Sequence, residues 1–180
     1  MANFMDSIST ALQNFINEQE MFFVATAAKD GRVNLSPKGL DSFRILDANT
    51  VLWLNYTGSG NETAAHLQEV NRMTIMFCSF KGNPLILRLY GEAETYHERD
   101  AEWENLLSQF YLNAGARNIF KLKVDSVQTS CGYAVPEFEV KGQRSRLVEW
   151  ADQKGEEGIK SYWAEKNKKS IDGMPTGIFK

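Results

Sequence analysis

The sequence predicts a mainly β protein with flanking helices, an α+β fold whose antiparallel sheet curls into a barrel. Strand-like segments outnumber helical ones, and tight turns rather than crossover helices join most of them. Gly91 lies inside a long strand-like segment, where a bulge would bend the sheet. The apolar and β-branched runs predict strands at 21–27, 32–35, 50–56, 72–80, 85–96 and 119–130. We expect Pro37 to interrupt the pairing that follows the second strand.

Apolar residues at helical spacing predict helices between and after these strands. The opening helix is expected from Ser7 to Gln19, with Asp6 or Ser7 as its cap. A second helix, capped by Asn61 or Thr63, is expected to run through residue 71. Two amphipathic stretches predict further helices at 98–113 and 142–167, and the Gly- and Pro-containing residues after 170 predict turns.

Composition limits the class of protein. The chain has 180 residues, which favours one domain over residues 1–180, and 43% of them are hydrophobic, which is typical of a globular fold. A net charge of −3 offers no general attraction to nucleic acid or to an anionic membrane. Cys78 and Cys131 are the only cysteines, and no apolar run approaches the ~20 residues of a membrane span. We therefore expect a cytoplasmic protein without a disulfide framework.

Two short segments collect the groups that a phosphate monoester needs. Residues 32–39 read Arg-Val-Asn-Leu-Ser-Pro-Lys-Gly and supply two cations and a hydroxyl, Arg32, Lys38 and Ser36. Residues 56–63 read Tyr-Thr-Gly-Ser-Gly-Asn-Glu-Thr, a Gly-rich turn before a helix whose free amides and dipole favour an anion. Together they predict a site for a nucleotide-type cofactor.

Other interpretations of these residues are weaker or stay open. Gly58-Ser-Gly60 lacks the third glycine of a dinucleotide fingerprint, and no Gly-Lys-Ser/Thr follows it as in a P-loop. Taken alone, the Gly-rich turn is as compatible with a flexible connection as with an anion site. Two histidines and two distant cysteines make no zinc ligand set, and no Gly-x-Ser-x-Gly elbow supports a hydrolase. Arg88, in an apolar strand, could face an interior anion, a carboxylate or solvent.

The order of these features resembles the pyridoxamine 5′-phosphate oxidase-related family of FMN-binding split β-barrels. The resemblance runs through segments 32–39, 56–67 and 89–94 and covers nearly the whole chain, while Gln128-Thr-Ser-Cys-Gly-Tyr-Ala-Val-Pro136 is similar to a bacterial subgroup. It implies a homodimer with FMN at the interface, touched by both subunits. Carried onto this chain, it implies cofactor contacts from Arg32, Val33, Asn34, Leu35, Ser36, Lys38, Tyr56, Thr57, Asn61 and Thr63, with Arg88 as a further candidate.

This chain departs from the family in two places. Glu62-Thr63 stands where the vitamin B6 oxidases carry an Arg-Lys pair at the start of the helix, and their C-terminal substrate-phosphate motif has no equivalent near Ile171. The resemblance therefore implies an FMN-dependent oxidoreductase whose substrate is unknown and whose catalytic residues are unassigned. A non-catalytic FMN-binding protein, or a barrel that binds a deazaflavin or haem, remains the alternative. We expect no metal site.

Overall fold

The computed structural model describes residues 2–111 and 114–180, and the strands of those residues form one eight-stranded antiparallel sheet. The strands are β1 (Asn3–Met5), β2 (Phe22–Thr26), β3 (Asn34–Lys38), β4 (Phe43–Asp47), β5 (Thr50–Tyr56), β6 (Arg72–Cys78), β7 (Ile86–Tyr96) and β8 (Ala116–Ser130). The helices are α1 (Thr10–Asn17), α2 (Glu62–His66), α3 (Trp103–Leu107) and α4 (Arg146–Lys166).

The sheet curls but does not close, which makes it a split barrel. Its order is β3-β2-β6-β7-β8-β5-β4, with β1 added to the C-terminal half of β8. The two outer strands, β3 and β4, each have one strand partner. This arrangement confirms the predicted mainly β, antiparallel fold with flanking helices.

The alternation of side chains along the strands divides the apolar residues between two layers. Within β5, Val51 and Trp53 belong to the core inside the barrel, whereas Leu52 and Leu54 pack outside against Trp103 of α3. Both faces of β5 are thus buried, which explains its uninterrupted apolar run. A third, smaller core lies under α4 and contains Ala151, Ile159, Trp163 and Ile178.

The expectation for Pro37 was wrong. β3 continues through Pro37, whose Cα pairs with that of Phe23 on β2. Since β3 is an outer strand, its open edge has no partner strand. A proline there, which lacks an N–H group, therefore costs the sheet no hydrogen bond on that edge. Strands β1 and β4 were not predicted, because β1 is three residues long and the alternation in β4 is weak.

The helices are shorter than predicted. α1 is capped by Ser9, whose Oγ accepts a bond from the amide of Leu12. α2 ends at His66, and α3 spans only five residues. The residues after each of them form hydrogen-bonded turns rather than regular helix. Residues 112 and 113 of the third predicted helix lie outside the described residues. α4 is broken at Gly155, whose φ of 63° and ψ of 175° are not helical.

Gly91 lets β7 and β8 approach closely at the bend of the sheet. The register of the two strands shifts between Tyr90 and Gly91, as a bulge requires, which confirms the predicted bend. A Cβ at residue 91 would lie 1.9 Å from the carbonyl oxygen of Lys123. The backbone of β8 therefore occupies the space that any side chain would need.

We expect Gly91→Ala to lower the free energy of unfolding by about 3 kcal/mol or more, because β8 must move to admit the methyl group. Urea denaturation measures this change. Gly158→Ala in α4 is the matched control: its new Cβ would meet only Lys154 side-chain carbons, at 3.4 Å, so it should be neutral or stabilising by up to about 1 kcal/mol. Equal stability of the Gly91 variant and the native chain would contradict the close approach.

Candidate functional site

A cavity of about 750 Å³ opens beside the outer strand β3. This volume falls within the ~300–1,000 Å³ of small-molecule sites. β3, the end of β5, the Gly-rich turn, the start of β8 and the chain after α4 form its walls. The lining residues are Arg32–Ser36, Lys38, Trp53, Asn55, Tyr56, Gly58–Thr63, Arg117, Lys166 and Lys169–Ile171.

Lys38 brings a positive charge into the cavity from β3. Its Nζ lies 4.9 Å from the centre of the Trp53 ring, which is itself stacked on Phe120 in the core. Burial, with a smaller contribution from the charge of Arg117, lowers the pKa of Lys38 to about 8. The ammonium is therefore mostly protonated at pH 7 but is poorly solvated, and an anion would stabilise it.

Arg117, the second residue of β8, supplies a second, buried cation. The residue is 3% exposed, and its Nη1 donates to the carbonyl oxygens of Gly60 (2.9 Å) and Gly58 (3.4 Å) and to Oδ1 of Asn167 (2.7 Å). Burial lowers the pKa of Arg117 to about 9, while Tyr162 and Glu62 oppose that shift. The guanidinium thus stays charged at pH 7 and fastens the Gly-rich turn to the end of α4.

Polar side chains connect β3 with the Gly-rich turn. Ser36 donates its hydroxyl to Oδ1 of Asn34, and Nδ2 of Asn34 donates to Oγ1 of Thr63, 3.2 Å away. Asn61 is 2% exposed, yet neither its Oδ1 nor its Nδ2 has a hydrogen-bond partner within the described chain. An unsatisfied buried carboxamide is costly, so this residue is suited to a polar ligand.

The chain after α4 closes one side of the cavity. The Asp172 carboxylate accepts a 2.7 Å hydrogen bond from the backbone amide of Arg32 and forms an ion pair with its guanidinium. Both interactions hold the pKa of Asp172 below its usual range. The carboxylate of Glu62 accepts the amide of Ile171 at 3.1 Å. These contacts use the charges of Arg32 and Glu62 to seat the C-terminal segment.

The structure brings most of the predicted cofactor residues to this cavity. Arg32, Val33, Asn34, Leu35, Ser36, Lys38, Tyr56, Asn61 and Thr63 all line it. Burial raises the pKa of Tyr56 to about 12, so its phenol is neutral at pH 7. Since α2 has only five residues, its dipole contributes less than the sequence suggested, and the buried cations supply the positive field.

Two predicted residues do not line the cavity. Thr57 is buried between elements: it donates to the carbonyl oxygen of Gly115 and accepts a 2.8 Å bond from Nε1 of Trp163. Arg88 lies on β7, where its Nη1 donates to Ser130 at 3.4 Å. Within this chain Thr57 connects the end of β5 to α4 behind the cavity wall, and Arg88 contacts the neighbouring strand β8.

Sequence reasoning missed Arg117, Asn55 and the C-terminal wall of residues 166–171. Arg117 precedes the strand predicted at 119–130 and carries no local signal, because its partners are 50 or more residues away. The C-terminal turns were expected, but nothing in their sequence places them against Arg32 and Glu62. Only the packing of the end of α4 against Arg117 and the Gly-rich turn brings them there.

The described residues offer neither a metal site nor a membrane-spanning helix. They contain no group of three or more His, Cys, Asp and Glu side chains placed to hold a metal ion. None of their helices combines the length and apolarity needed to cross a bilayer. His66 is buried on α2, where its Nδ1 shares a 3.0 Å hydrogen bond with Thr26.

Comparison with known proteins assigns the chain to a family. The pyridoxamine 5′-phosphate oxidase family model matches residues 8–131. A pyridoxamine 5′-phosphate oxidase family protein of Aspergillus flavus, ustO, is 34% identical over 195 residues, which cover 97% of this chain and 78% of that protein. The chain therefore belongs to the pyridoxamine 5′-phosphate oxidase family.

Solved structures with the same fold are more distant in sequence. HupZ of Group A Streptococcus superimposes with a TM-score of 0.53 at 23% identity, covering 67% of this chain and 91% of its own. The FAD binding protein of Mycobacterium smegmatis superimposes with a TM-score of 0.50 at 12% identity, covering 70% and 97%. At these identities the likeness concerns the fold.

We expect Lys38→Met to raise the melting temperature at pH 7, because it removes a charge whose burial disfavours folding. The folded pKa of Lys38, about 8, lies below the unfolded value near 10.4, so its penalty is present below pH 8 and disappears as pH rises toward 10.4. The difference in melting temperature between the variant and the native protein should therefore shrink as the pH is raised from 7 to 10.5. Lys123→Met, at an exposed position of β8, is the control. A Lys38→Met protein that is no more stable than the native protein at pH 7 would contradict the argument that burial of this charge costs stability.

Proposed function

We propose that this cavity binds FMN and that the protein is an oxidoreductase acting on a small substrate of unknown identity. The observation that supports the proposal most is the convergence of two poorly solvated cations, Lys38 and Arg117, in one cavity. Structural stability does not require such a pair, since burial disfavours both charged forms and thereby lowers the pKa of each group. A phosphate dianion would offset both costs.

The cavity fits the rest of an FMN molecule as well. The orphaned carboxamide of Asn61 can donate to a phosphate oxygen and accept from a ribityl hydroxyl, so one ligand would satisfy both of its atoms. Backbone and apolar side chains of Val33 and Leu35 would border the ring, with Tyr56 nearby. The family and the solved FAD binding protein of the same fold support a flavin.

FMN, when bound, supplies the hydride- and electron-accepting chemistry. The chain itself would bind, orient and shield the cofactor. Lys38 would hold the negative end, and Arg117 would add its positive charge from behind the Gly-rich turn. The C-terminal segment seated by Arg32 and Glu62 would exclude water from one side. With a pKa near 12, Tyr56 would keep its proton at a neutral cavity wall.

A second copy of the chain would complete the cavity. Val33 and Leu35 are 72% and 63% exposed, although both are apolar and both line the cavity. They lie at the open edge of the sheet, where an uncovered apolar pair favours association. We therefore include the homodimer with FMN at its interface in the proposal, together with a location in the reducing cytoplasm, where both cysteines would stay free.

A non-catalytic FMN-binding protein is the second candidate. The titratable residues that line the cavity are cations, one neutral tyrosine and Glu62, and Glu62 is held by the amide of Ile171. This set can bind an anion, and its one group that titrates near neutral pH, Lys38, would be engaged by the phosphate rather than by a substrate proton. Multiple-turnover reduction of the bound cofactor by a reduced nicotinamide, followed by transfer to an added acceptor, would favour the oxidoreductase over the carrier.

The first prediction concerns cofactor identity. The purified protein should show a two-band flavin absorption spectrum or acquire one when FMN is added, and acid should release FMN, identified by mass. A deazaflavin released instead would retain the site and change the cofactor. A protein that stays colourless and binds no added FMN would overturn the proposed function.

The second prediction concerns pH. FMN affinity should fall as pH rises through about 8, because Lys38 loses the proton that pairs with the phosphate. Lys38→Met should weaken FMN binding at pH 7 about tenfold or more, as expected for a lost charge-assisted bond, and should remove the step near pH 8. Flavin fluorescence titrations measure both effects. An unchanged step in the variant would assign it to another group.

The third prediction concerns assembly. Light scattering should give about twice the 20.4 kDa chain mass for the native protein. Val33→Glu combined with Leu35→Glu should yield monomers that bind FMN poorly, because like charges would meet where the apolar pair is covered. Leu46→Glu, an exposed position of β4 outside the cavity, should remain dimeric. A native monomer with full FMN occupancy would contradict the shared site.

A further inference from the structure

The guanidinium of Arg117 holds the Gly-rich turn by its carbonyl groups. Nη1 of Arg117 binds the oxygens of Gly58 and Gly60, so these two carbonyls point to the same buried group. In a trans peptide the C=O and the following N–H point in opposite directions. The amides of Ser59 and Asn61 are therefore directed away from the guanidinium.

Among the described residues these two amides have no hydrogen-bond partner. Within the described chain, neither the Ser59 nor the Asn61 N–H donates to a backbone or side-chain acceptor. Both residues line the cavity, and Asn61 adds its buried, unpartnered carboxamide. Unpaired amides from alternate residues of one turn beside a cavity can together bind an anion.

Asn167 fixes the position of the guanidinium. Its Oδ1 accepts from Nη1 of Arg117 at 2.7 Å, its Nδ2 donates to the Gly58 carbonyl at 3.0 Å, and its side chain is completely buried. The end of α4 thus joins Arg117 in holding the turn. Arg117 cannot swing into the cavity without breaking three hydrogen bonds, so it acts on a ligand through the turn.

We propose that Arg117 is the positioning residue of the cofactor site, which orients the Ser59 and Asn61 amides toward the phosphate end of the cofactor. This inference rests on the proposed function and adds a determinant of specificity to it. Arg117 selects flavins that carry a phosphate over those that do not. Riboflavin has no phosphate and gains nothing from the two amides.

The test compares the dissociation constants of FMN and riboflavin in Arg117→Met and Arg117→Lys. In Arg117→Met, FMN binding should weaken at least about tenfold while riboflavin binding changes less than about threefold, so the preference for FMN collapses. Arg117→Lys keeps the charge but cannot reach all three acceptors, and the preference should fall part of the way. If Arg117→Met does not fold, Arg117→Lys decides by the same ratio.

Arg99→Met is the matched control. Arg99 also donates to two carbonyl oxygens of the C-terminal segment, those of Gly177 and Ile178, but it does not line the cavity. In the Arg99→Met variant, the ratio of the FMN and riboflavin dissociation constants should equal that of the native protein. Equal weakening of both flavins in the Arg117 variants, or an unchanged ratio, would overturn the positioning role.

Amide hydrogen exchange supplies a readout that does not depend on activity. Addition of FMN to the native protein should slow exchange at Ser59 and Asn61, and riboflavin should not. Native protein that binds neither flavin would overturn the proposed function and this inference together. FMN binding without protection of these amides would overturn this inference alone.

Discussion

The burial of one guanidinium organises the parts of this molecule that meet at the cavity. Arg117 lies at the start of β8, and its acceptors belong to the turn after β5 and to the end of α4. A buried cation requires hydrogen-bond acceptors on every side that water would otherwise occupy. The turn and the end of α4 supply acceptors for Nη1, whereas Nε has no partner among the described residues. Both elements thereby acquire a fixed position relative to the start of β8.

The same constraint explains why the C-terminal segment belongs to the site. Asn167 binds both Arg117 and the carbonyl of Gly58, and its own carbonyl accepts the hydroxyl of Thr176. From there the chain reaches Asp172, which pairs with Arg32 of the cavity lining. A wall made of the last residues of the chain is thus continuous, through hydrogen bonds, with the Gly-rich turn.

Electrostatics sets binding against stability in this cavity. Lys38 and Arg117 both have lowered pKa values, chiefly because burial disfavours their charged forms. A fold selected for stability alone would place apolar groups in these positions. The uncompensated positive field and the orphaned carboxamide of Asn61 instead prepare the site for an anionic, polar ligand, whose binding would return the stability that they remove.

The sequence by itself determined most of the strands, the bend at Gly91 and two of the segments that line the cavity. These are local properties: alternation, apolar runs, turn residues and a glycine where β8 comes too close for a side chain. It also indicated which ligand chemistry to expect, since Lys38 and the Gly-rich turn lie in short, readable segments. Helix ends were less predictable, because α2 and α3 continue as irregular turns that packing stabilises.

Only the tertiary structure decided how the charges are used. Arg32 and Lys38 are six residues apart and look equivalent in sequence, but Asp172 neutralises the first and burial against Trp53 isolates the second. The residues next to Arg117 in the sequence do not indicate its role, because its hydrogen-bond partners are carbonyl groups and an asparagine far along the chain. Such long-range contacts form only when the barrel brings β5, β8 and α4 together, and no local pattern records them.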